Sequence, residues 1–302
     1  LIYTCTFTPS IDYTTYLSDF NPGTLNRTND VYYYPGGKGI NVSRVLQRLN
    51  IRSTALGFTG GFTGDYIADF LQREGIETDF IDTNEVTRIN VKIKSGKETE
   101  LNGPGPTIAP EQQALLLEKI NTLREGDWFV LAGSLPNSIQ TAFYYQIAEN
   151  CSKQGIRFVL DTSGPALKNL IPAKPFLMKP NQDELGQIFD TKITNKKQAF
   201  KYASQLAGDV EHVIVSMGKE GALLVSGNKK WDATPPAGKA VNTVGAGDSL
   251  VSGFIASYLQ NKNPEEAFRY GVAAGSATAF QTDLCSKENV ASLVSKVSIN
   301  QL

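Results

Sequence analysis

Apolar positions fall into two rhythms along the chain. From about residue 126 onward, short apolar runs alternate with stretches of helical spacing. Trp128-Phe129-Val130-Leu131-Ala132 reads as a buried strand, and residues 140–154 read as the helix after it. Arg157 to Leu160, Phe176-Leu177-Met178 and Val213-Ile214-Val215 repeat the strand reading, with helical patterns between most of them. That succession predicts a mostly parallel sheet covered by helices. Ala222–Val225 and Lys230–Ala233 read as an antiparallel addition near one edge.

The N-terminal third follows a period of two. In RINVKIK, residues 88–94, Ile89, Val91 and Ile93 point one way, while Arg88, Asn90, Lys92 and Lys94 point the other. Ser95-Gly96 supplies a turn before KETEL, which predicts a hairpin, and residues 12–18 and 29–34 are also strand-like. So small a sheet is marginal alone in water, so its apolar face needs cover. The fold class expected is α/β, with a central, mostly parallel sheet covered by helices and a small inserted β-sheet lid. One domain over residues 1–302 is expected, its discontinuous lid formed from about 12–34 and 87–102. The lid would cover a site, pair with a second subunit as a homodimer, or do both.

Composition narrows the chemistry. The 302 residues are 41% apolar, enough for a sizeable core. Lys and Arg number 29 against 30 Asp and Glu, so no basic field suits nucleic acid and no charged tail appears. Cys5, Cys151 and Cys285 are widely spaced and odd in number, which fits a reducing compartment and suits neither a disulfide framework nor a zinc site. The opening LIYTCTFTPSID has no basic n-region and no long apolar run, so no signal peptide is expected. No stretch approaches the roughly 20 apolar residues that span a bilayer. A cytoplasmic protein with no membrane partner is expected. The single histidine, His212, opens the run HVIVS as a strand-end residue. Ser-His-Asp triads and His-rich metal sites are thereby excluded, and proton transfer falls to a carboxylate, lysine, tyrosine or cysteine.

Two glycine turns carry the candidate chemistry. Behind Asn242-Thr243-Val244-Gly245-Ala246-Gly247-Asp248, residues Leu250, Val251, Phe254, Ile255, Tyr258 and Leu259 recur at helical spacing, so a helix is expected from near Asp248. Glycines at a helix entrance expose backbone N–H groups where the helix dipole is positive, a cradle for phosphate. A carboxylate there would repel a bound anion, unless it takes a proton from a hydroxyl that attacks that phosphate. The alternative is that Asp248 merely caps the helix. The second turn, Pro35-Gly36-Gly37-Lys38-Gly39-Ile40-Asn41, opens a helix with Val42, Val45, Leu46 and Leu49 on one face. It offers close backbone approach, a cation and an amide; the alternative is a surface turn with a solvated lysine. Neither a Walker A loop nor a Rossmann G-x-G-x-x-G occurs, which argues against a dinucleotide enzyme.

Taken together, these pieces resemble the ribokinase-like family of carbohydrate kinases, in its phosphofructokinase-B branch. Pro9-Ser10-Ile11-Asp12, the PGGKGIN turn, Gly60-Gly61, Gly133-Ser134-Leu135-Pro136, Lys179-Pro180-Asn181-Gln182-Asp183-Glu184 and NTVGAGDS stand in that family's order over essentially the whole chain. The run TRINVKIKSGKETELNGPGP, residues 87–106, looks most like the fructose 1-phosphate kinases of the branch, with the tagatose 6-phosphate kinases as close relatives. The resemblance implies Asp248 as catalytic base, with the backbone of Gly245, Ala246 and Gly247 as the anion hole. It implies Asp12, Gly37 and Asn41 at sugar hydroxyls, and Lys38, Arg88, Arg27 and Ser134 around the substrate's own phosphate. Without the resemblance, Arg88 reads as an outward-facing strand cation. On the nucleotide side it implies Lys179, Asn181, Ser216, Gly218 and Gly221 near ATP. Glu184 falls near Mg²⁺, its alternative being an ordinary first-turn helix acid.

The activity implied is in-line transfer of the ATP γ-phosphoryl group to a small sugar phosphate. Fructose 1-phosphate, phosphorylated at its 6-hydroxyl, is preferred. Tagatose 6-phosphate or fructose 6-phosphate, phosphorylated at the 1-hydroxyl, is the alternative. A non-catalytic sugar-phosphate or nucleotide sensor is the rival from another class, and it has no need of the base.

Overall fold

The computed structural model of the chain describes residues 1–28, 30–136, 138–163 and 166–302, Ala166 through its backbone alone. Chain order begins with β1 (Ile2–Thr6), β2 (Ser10–Tyr16), β3 (Asp30–Gly36), α1 (Lys38–Arg48), β4 (Thr54–Thr59), α2 (Gly61–Arg73) and β5 (Glu77–Asp82). It continues with β6 (Ile89–Lys94), β7 (Glu98–Asn102), α3 (Pro110–Asn121), β8 (Trp128–Ser134), α4 (Thr141–Lys153), β9 (Arg157–Ser163), α5 (Ala166–Leu170) and β10 (Leu177–Met178). Then come α6 (Gln182–Ile188), α7 (Lys196–Leu206), β11 (His212–Ser216), β12 (Ala222–Ser226) and β13 (Lys229–Thr234). The chain closes with α8 (Ala246–Asn261), α9 (Pro264–Ala279), α10 (Lys287–Val294) and β14 (Ser298–Gln301).

The large sheet runs β14-β13-β12-β11-β10-β9-β8-β1-β4-β5. It is parallel from β11 through to β5, and antiparallel over β11-β12-β13-β14. Strand β1 lies inside the order. The chain builds outward to β4 and β5 on one side, then crosses back to lay β8 and β9 on the other. The carboxyl ends of β1 and β8 therefore border a topological switch point, the usual ligand crevice of an open α/β sheet.

Alternation along these strands fills a core on each face. Phe129, Leu131, Phe158 and Leu160 pack with α3, α4, α6 and α7, while Trp128, Val130 and Val159 pack with α1, α8, α9 and α10. Helix α9 lies close on α8 because glycines meet there. A Cβ on Gly253 would stand 2.9 Å from the Gly271 Cα and from the Ala274 Cβ. That close seat holds the first turn of α8 in place.

The small sheet runs β3-β2-β6-β7. Its polar face, with Asp12, Asn90, Lys92, Glu100 and Asn102, looks into the crevice. Its other face buries Ile11 and Ile93 but leaves Tyr33, Ile89 and Leu101 exposed at 51%, 43% and 61%. The alternation read from RINVKIK holds; the apolar side is the one turned away from the crevice, only partly covered.

Several boundaries differ from expectation. Strand β2 starts at Ser10 and stops at Tyr16, and β3 runs from Asp30 to Gly36, with Asn29 outside the described residues. Phe176 precedes β10, which is only two residues long. Helix α8 begins at Ala246, two residues before Asp248.

Helix α1 is fastened at its side by ion pairs. The buried Arg44 donates from Nε and Nη2 to Glu74 at 2.8 and 2.9 Å, and from Nη1 and Nη2 to Asp283 at 3.3 and 3.1 Å. Arg48 also donates to Asp283, at 2.6 Å, and to the Leu284 carbonyl. The cluster ties α1 to the end of α2 and to the segment after α9. Arg44→Met should lower stability by about 2 kcal/mol, because it removes four charge-assisted hydrogen bonds and leaves Glu74 and Asp283 to share Arg48 alone. Urea denaturation checks this, and an unchanged midpoint would count against the cluster as a fastening.

Candidate active site

Helix α8 opens without a side-chain cap. Gly245 is its N-cap residue, in the left-handed region at φ 79°, and among the described residues no side chain caps the first turn. A β-carbon on Gly245 would meet the Leu284 Cδ2 at 2.5 Å, so glycine is required on both counts. The first-turn N–H groups lack intrahelical partners; Ala246 donates to the Thr243 carbonyl at 3.3 Å, while Gly245 and Gly247 border the crevice. Asp248 stands in that first turn, so it is not the cap.

Its carboxylate is 5% exposed, and Oδ2 accepts from Asn41 Nδ2 at 2.8 Å. Burial first, and the nearby Asp161 charge second, push its pKa up to about 6, against the opposing pull of the Asn41 hydrogen bond, Lys38 and Lys179. Asp161, two residues before the end of β9, is fully buried. Its Oδ1 accepts from Lys38 Nζ at 3.0 Å and lies 3.2 Å from Lys179 Nζ, while Oδ2 has no hydrogen-bond partner among the described residues. Burial opposes its ionisation, but the charges of Lys179 and Lys38 outweigh this and hold it below the usual carboxylate range. Lys38 in turn is held above the usual lysine range: burial opposes this, and the Asp161, Glu184 and Asp248 carboxylates outweigh it. Two carboxylates in one cluster thus have their affinities for protons driven apart.

Asn181 and Glu184 form a reciprocal cap on α6. Asn181 Oδ1 accepts from the Glu184 amide at 2.8 Å, and Glu184 Oε2 accepts from the Asn181 amide at 2.8 Å. Glu184 Oε1 lies 3.8 Å from Lys38 Nζ. The first-turn acid role is therefore real, and it leaves one oxygen beside the lysines.

On the opposite wall, Asp12 is gripped by Ser10 Oγ at 2.8 Å, Asn90 Nδ2 at 3.1 Å and Lys92 Nζ at 2.7 Å. Arg88 donates from Nη2 to the Thr8 carbonyl at 2.9 Å and from Nη1 to the Gly103 carbonyl at 3.2 Å.

These walls enclose a cavity of about 680 Å³. Of the residues expected from sequence, it is lined by Asp12, Gly37, Lys38, Asn41, Arg88, Ser134, Lys179, Asn181, Ser216, Gly245, Gly247 and Asp248. A side pocket of about 220 Å³ shares Asp12, Asn41, Lys92 and Val244 with it. Other expected residues lie off the lining. Arg27 is exposed in the loop between β2 and β3, which carries it away from the walls. Gly218 and Gly221 shape the turn between β11 and β12, where Gly221, at φ 96°, abuts the Ala233 carbonyl. Ala246 begins α8 and reaches the site only through its backbone. Lys38 was expected around the substrate phosphate; its ammonium instead sits between Asp161 and Glu184, on the Asp248 side.

Sequence reasoning missed Asp161, Asn90 and Lys92. Asp161 ends an apolar strand run, RFVLD, a position where a charged residue at a carboxyl end was the available signal. Among the described residues, no three His, Cys, Asp or Glu side chains gather as a metal-holding group, and no helix is long and apolar enough to cross a membrane. Chemically, the cavity offers a poised carboxylate beside an open helix terminus, one buried and one half-buried ammonium group and a wall of hydrogen-bonding polar groups.

A model of the pfkB family carbohydrate kinases matches residues 6–289. The chain is 51% identical to the 1-phosphofructokinase of Bacillus subtilis over 303 residues, covering 100% of each protein. It is 35% identical to the D-tagatose-1-phosphate kinase of Bacillus licheniformis over 304 residues, again with 100% of each covered. The crystal structure of phosphofructokinase-2 from Escherichia coli in complex with substrates and products superposes with a TM-score of 0.93 at 32% identity, covering 97% of this chain and 98% of that one.

The raised pKa of Asp248 has a thermodynamic consequence. An unfolded Asp ionises near pH 4, whereas the folded one holds its proton to about 6, so folding is penalised once the pH passes that window. Asp248→Asn should therefore melt higher than wild type at pH 8, with the difference vanishing near pH 4. Equal melting temperatures at pH 8 would contradict a strained carboxylate.

Proposed function

We propose that this chain, which belongs to the pfkB family of carbohydrate kinases, transfers the γ-phosphoryl group of ATP to the 6-hydroxyl of fructose 1-phosphate. The observation that carries the reading is Asp248, a buried carboxylate with a pKa near 6 at the uncapped start of α8. A carboxylate so tuned accepts a proton at neutral pH and has no role in a passive sensor. The 51% identity to a protein named 1-phosphofructokinase supports the choice of substrate.

In this reading the sugar hydroxyl lies between the Asp248 carboxylate and the γ-phosphorus. Its proton passes to Asp248 as the new O–P bond forms, and the bond to the β-phosphate oxygen breaks in line. Charge developing on the phosphoryl oxygens is met by the amides of Gly245, Ala246 and Gly247. Asn41 orients the base through its 2.8 Å hydrogen bond. Lys179 and Lys38, both paired to Asp161 in the free site, turn to the nucleotide phosphates when these arrive. Asn181 and Ser216 border the nucleotide, over the turn shaped by Gly218 and Gly221.

The polar face of the small sheet then closes the sugar end, with Asp12, Gly37 and Asn41 at hydroxyls and Arg88 and Ser134 at the substrate's own phosphate. Residues 12–34 and 87–102 act as the lid of a single kinase domain, keeping water from the phosphoryl group. Mg²⁺ would be held beside the nucleotide phosphates by Glu184 Oε1, the oxygen not used in the α6 cap. When bound with ATP, the ion neutralises phosphate charge. The proposed setting is the cytoplasm, with Cys5, Cys151 and Cys285 free and buried. Homodimerisation through Tyr33, Ile89 and Leu101 would cover the exposed apolar face of the lid.

Three measurements test this. ADP release over a panel of sugar monophosphates should give the highest kcat/KM with fructose 1-phosphate, above tagatose 6-phosphate and fructose 6-phosphate; no sugar-dependent ADP would favour a sensor. Asp248→Asn should keep KM within a few-fold and lose about a thousandfold in kcat, and near-normal turnover would refute the base. Sedimentation should show a dimer that Leu101→Lys dissociates; a wild-type monomer at micromolar concentration would overturn the assembly.

A further inference from the structure

We infer that Asn90 is a substrate-binding residue, and that Asn90 with Asp12 selects sugar phosphates carrying two neighbouring free hydroxyls. The inference rests on the kinase reading above and sharpens its substrate class.

Asn90 lies directly across from Asp12 in the β2–β6 pairing, and it is only 8% exposed. Its Nδ2 donates to Ser10 Oγ at 3.0 Å and to Asp12 Oδ1 at 3.1 Å. Ser10 Oγ spends its own proton on Asp12 Oδ1, at 2.8 Å. The amide therefore has one tolerable orientation, since turning it over would set its oxygen against a carboxylate and an accepting hydroxyl. That leaves Oδ1, which is buried and has no hydrogen-bond partner among the described residues, in a side chain that lines the large cavity.

A buried carbonyl oxygen without a donor costs about 1–3 kcal/mol, a cost that a ligand donor removes. The donor is a hydroxyl, because a phosphate oxygen presents only lone pairs at neutral pH and would be repelled. Asp12 is in a matching state. Of the roughly four lone-pair directions of a carboxylate, Ser10, Asn90 and Lys92 occupy three. One acceptor position on Asp12 and one on Asn90 thus stand side by side on one wall, an arrangement that asks for two adjacent O–H donors. A vicinal diol supplies them. Lys92 Nζ lies 2.7 Å from Asp12 Oδ2 and braces the carboxylate on that wall.

The test is a double-mutant cycle between protein and ligand. Dissociation constants are measured by calorimetry, with a non-hydrolysable ATP analogue present, for wild type and Asn90→Ala. The ligands are fructose 1-phosphate and its singly deoxygenated analogues. One deoxy analogue should bind wild type about tenfold more weakly. Asn90→Ala should bind the parent sugar with that same loss, and combining the two changes should cost nothing further. The remaining analogues should stay sensitive to Asn90→Ala. Losses that add for every analogue would reduce Asn90 to a brace for Asp12 and overturn the proposal, as would unaltered binding by Asn90→Ala. If that variant does not fold, Asn90→Ser, which retains a donor toward Ser10, carries the same comparison. Because the readout is binding, the two readings fail separately. Coupling without any ADP release by wild type would sink the kinase assignment alone, and additivity with normal turnover would sink the Asn90 assignment alone.

Discussion

Two carboxylates share one buried cluster with two lysines, and the division of partners among them governs the site. Asp161 takes both ammonium groups on a single oxygen, at 3.0 and 3.2 Å. Asp248 is left with the neutral amide of Asn41. One carboxylate is therefore locked in its charged form while its neighbour is pushed toward protonation, and the gap between them is what makes a base of the second. Uniform pairing, one lysine to each aspartate, would have produced two inert ion pairs.

The architecture makes that division possible. Asp161 lies in the carboxyl-terminal half of β9, Lys179 follows β10, Lys38 begins α1 and Asp248 lies in the first turn of α8. These ends converge only because the parallel strands terminate together at the point where the sheet order reverses. Glycine contacts between α8 and α9 and the Arg44–Glu74–Asp283 pairs then hold the two helix starts against each other. The small sheet adds a second kind of surface. Its polar face meets the cavity with side chains already bonded to one another, so recognition there rests on the few acceptors left free.

Much of this was legible in the sequence. The strand at Trp128, the helix after it and the antiparallel addition appear where the apolar spacing puts them, because buried parallel strands read as continuous apolar runs. The two glycine turns were legible as helix entrances, and most of the residues assigned to them line one cavity. What escaped was whatever depends on contacts between distant segments. Asp161 is a lone acid within a strand, and its importance comes from lysines 123 positions before it and 18 after it. Lys38 could be read as a cation but not as one committed to a buried partner. The period-two pattern of RINVKIK told which residues share a face, yet not which face looks inward, since either face of a covered sheet can be the dry one. Arg27 sits in a loop without a rigid marker, where spacing carries no directional information.

The pH dependence of kcat/KM, in wild type and in Asp161→Asn, addresses the central claim most directly. A base whose proton affinity is set by burial and by Asp161 predicts a wild-type profile that falls with unit slope below about pH 6. Removing the Asp161 charge should displace that limb to lower pH, since less negative charge then opposes ionisation of Asp248. A flat profile from pH 5 to 8, or a limb that Asp161→Asn leaves in place, would contradict it.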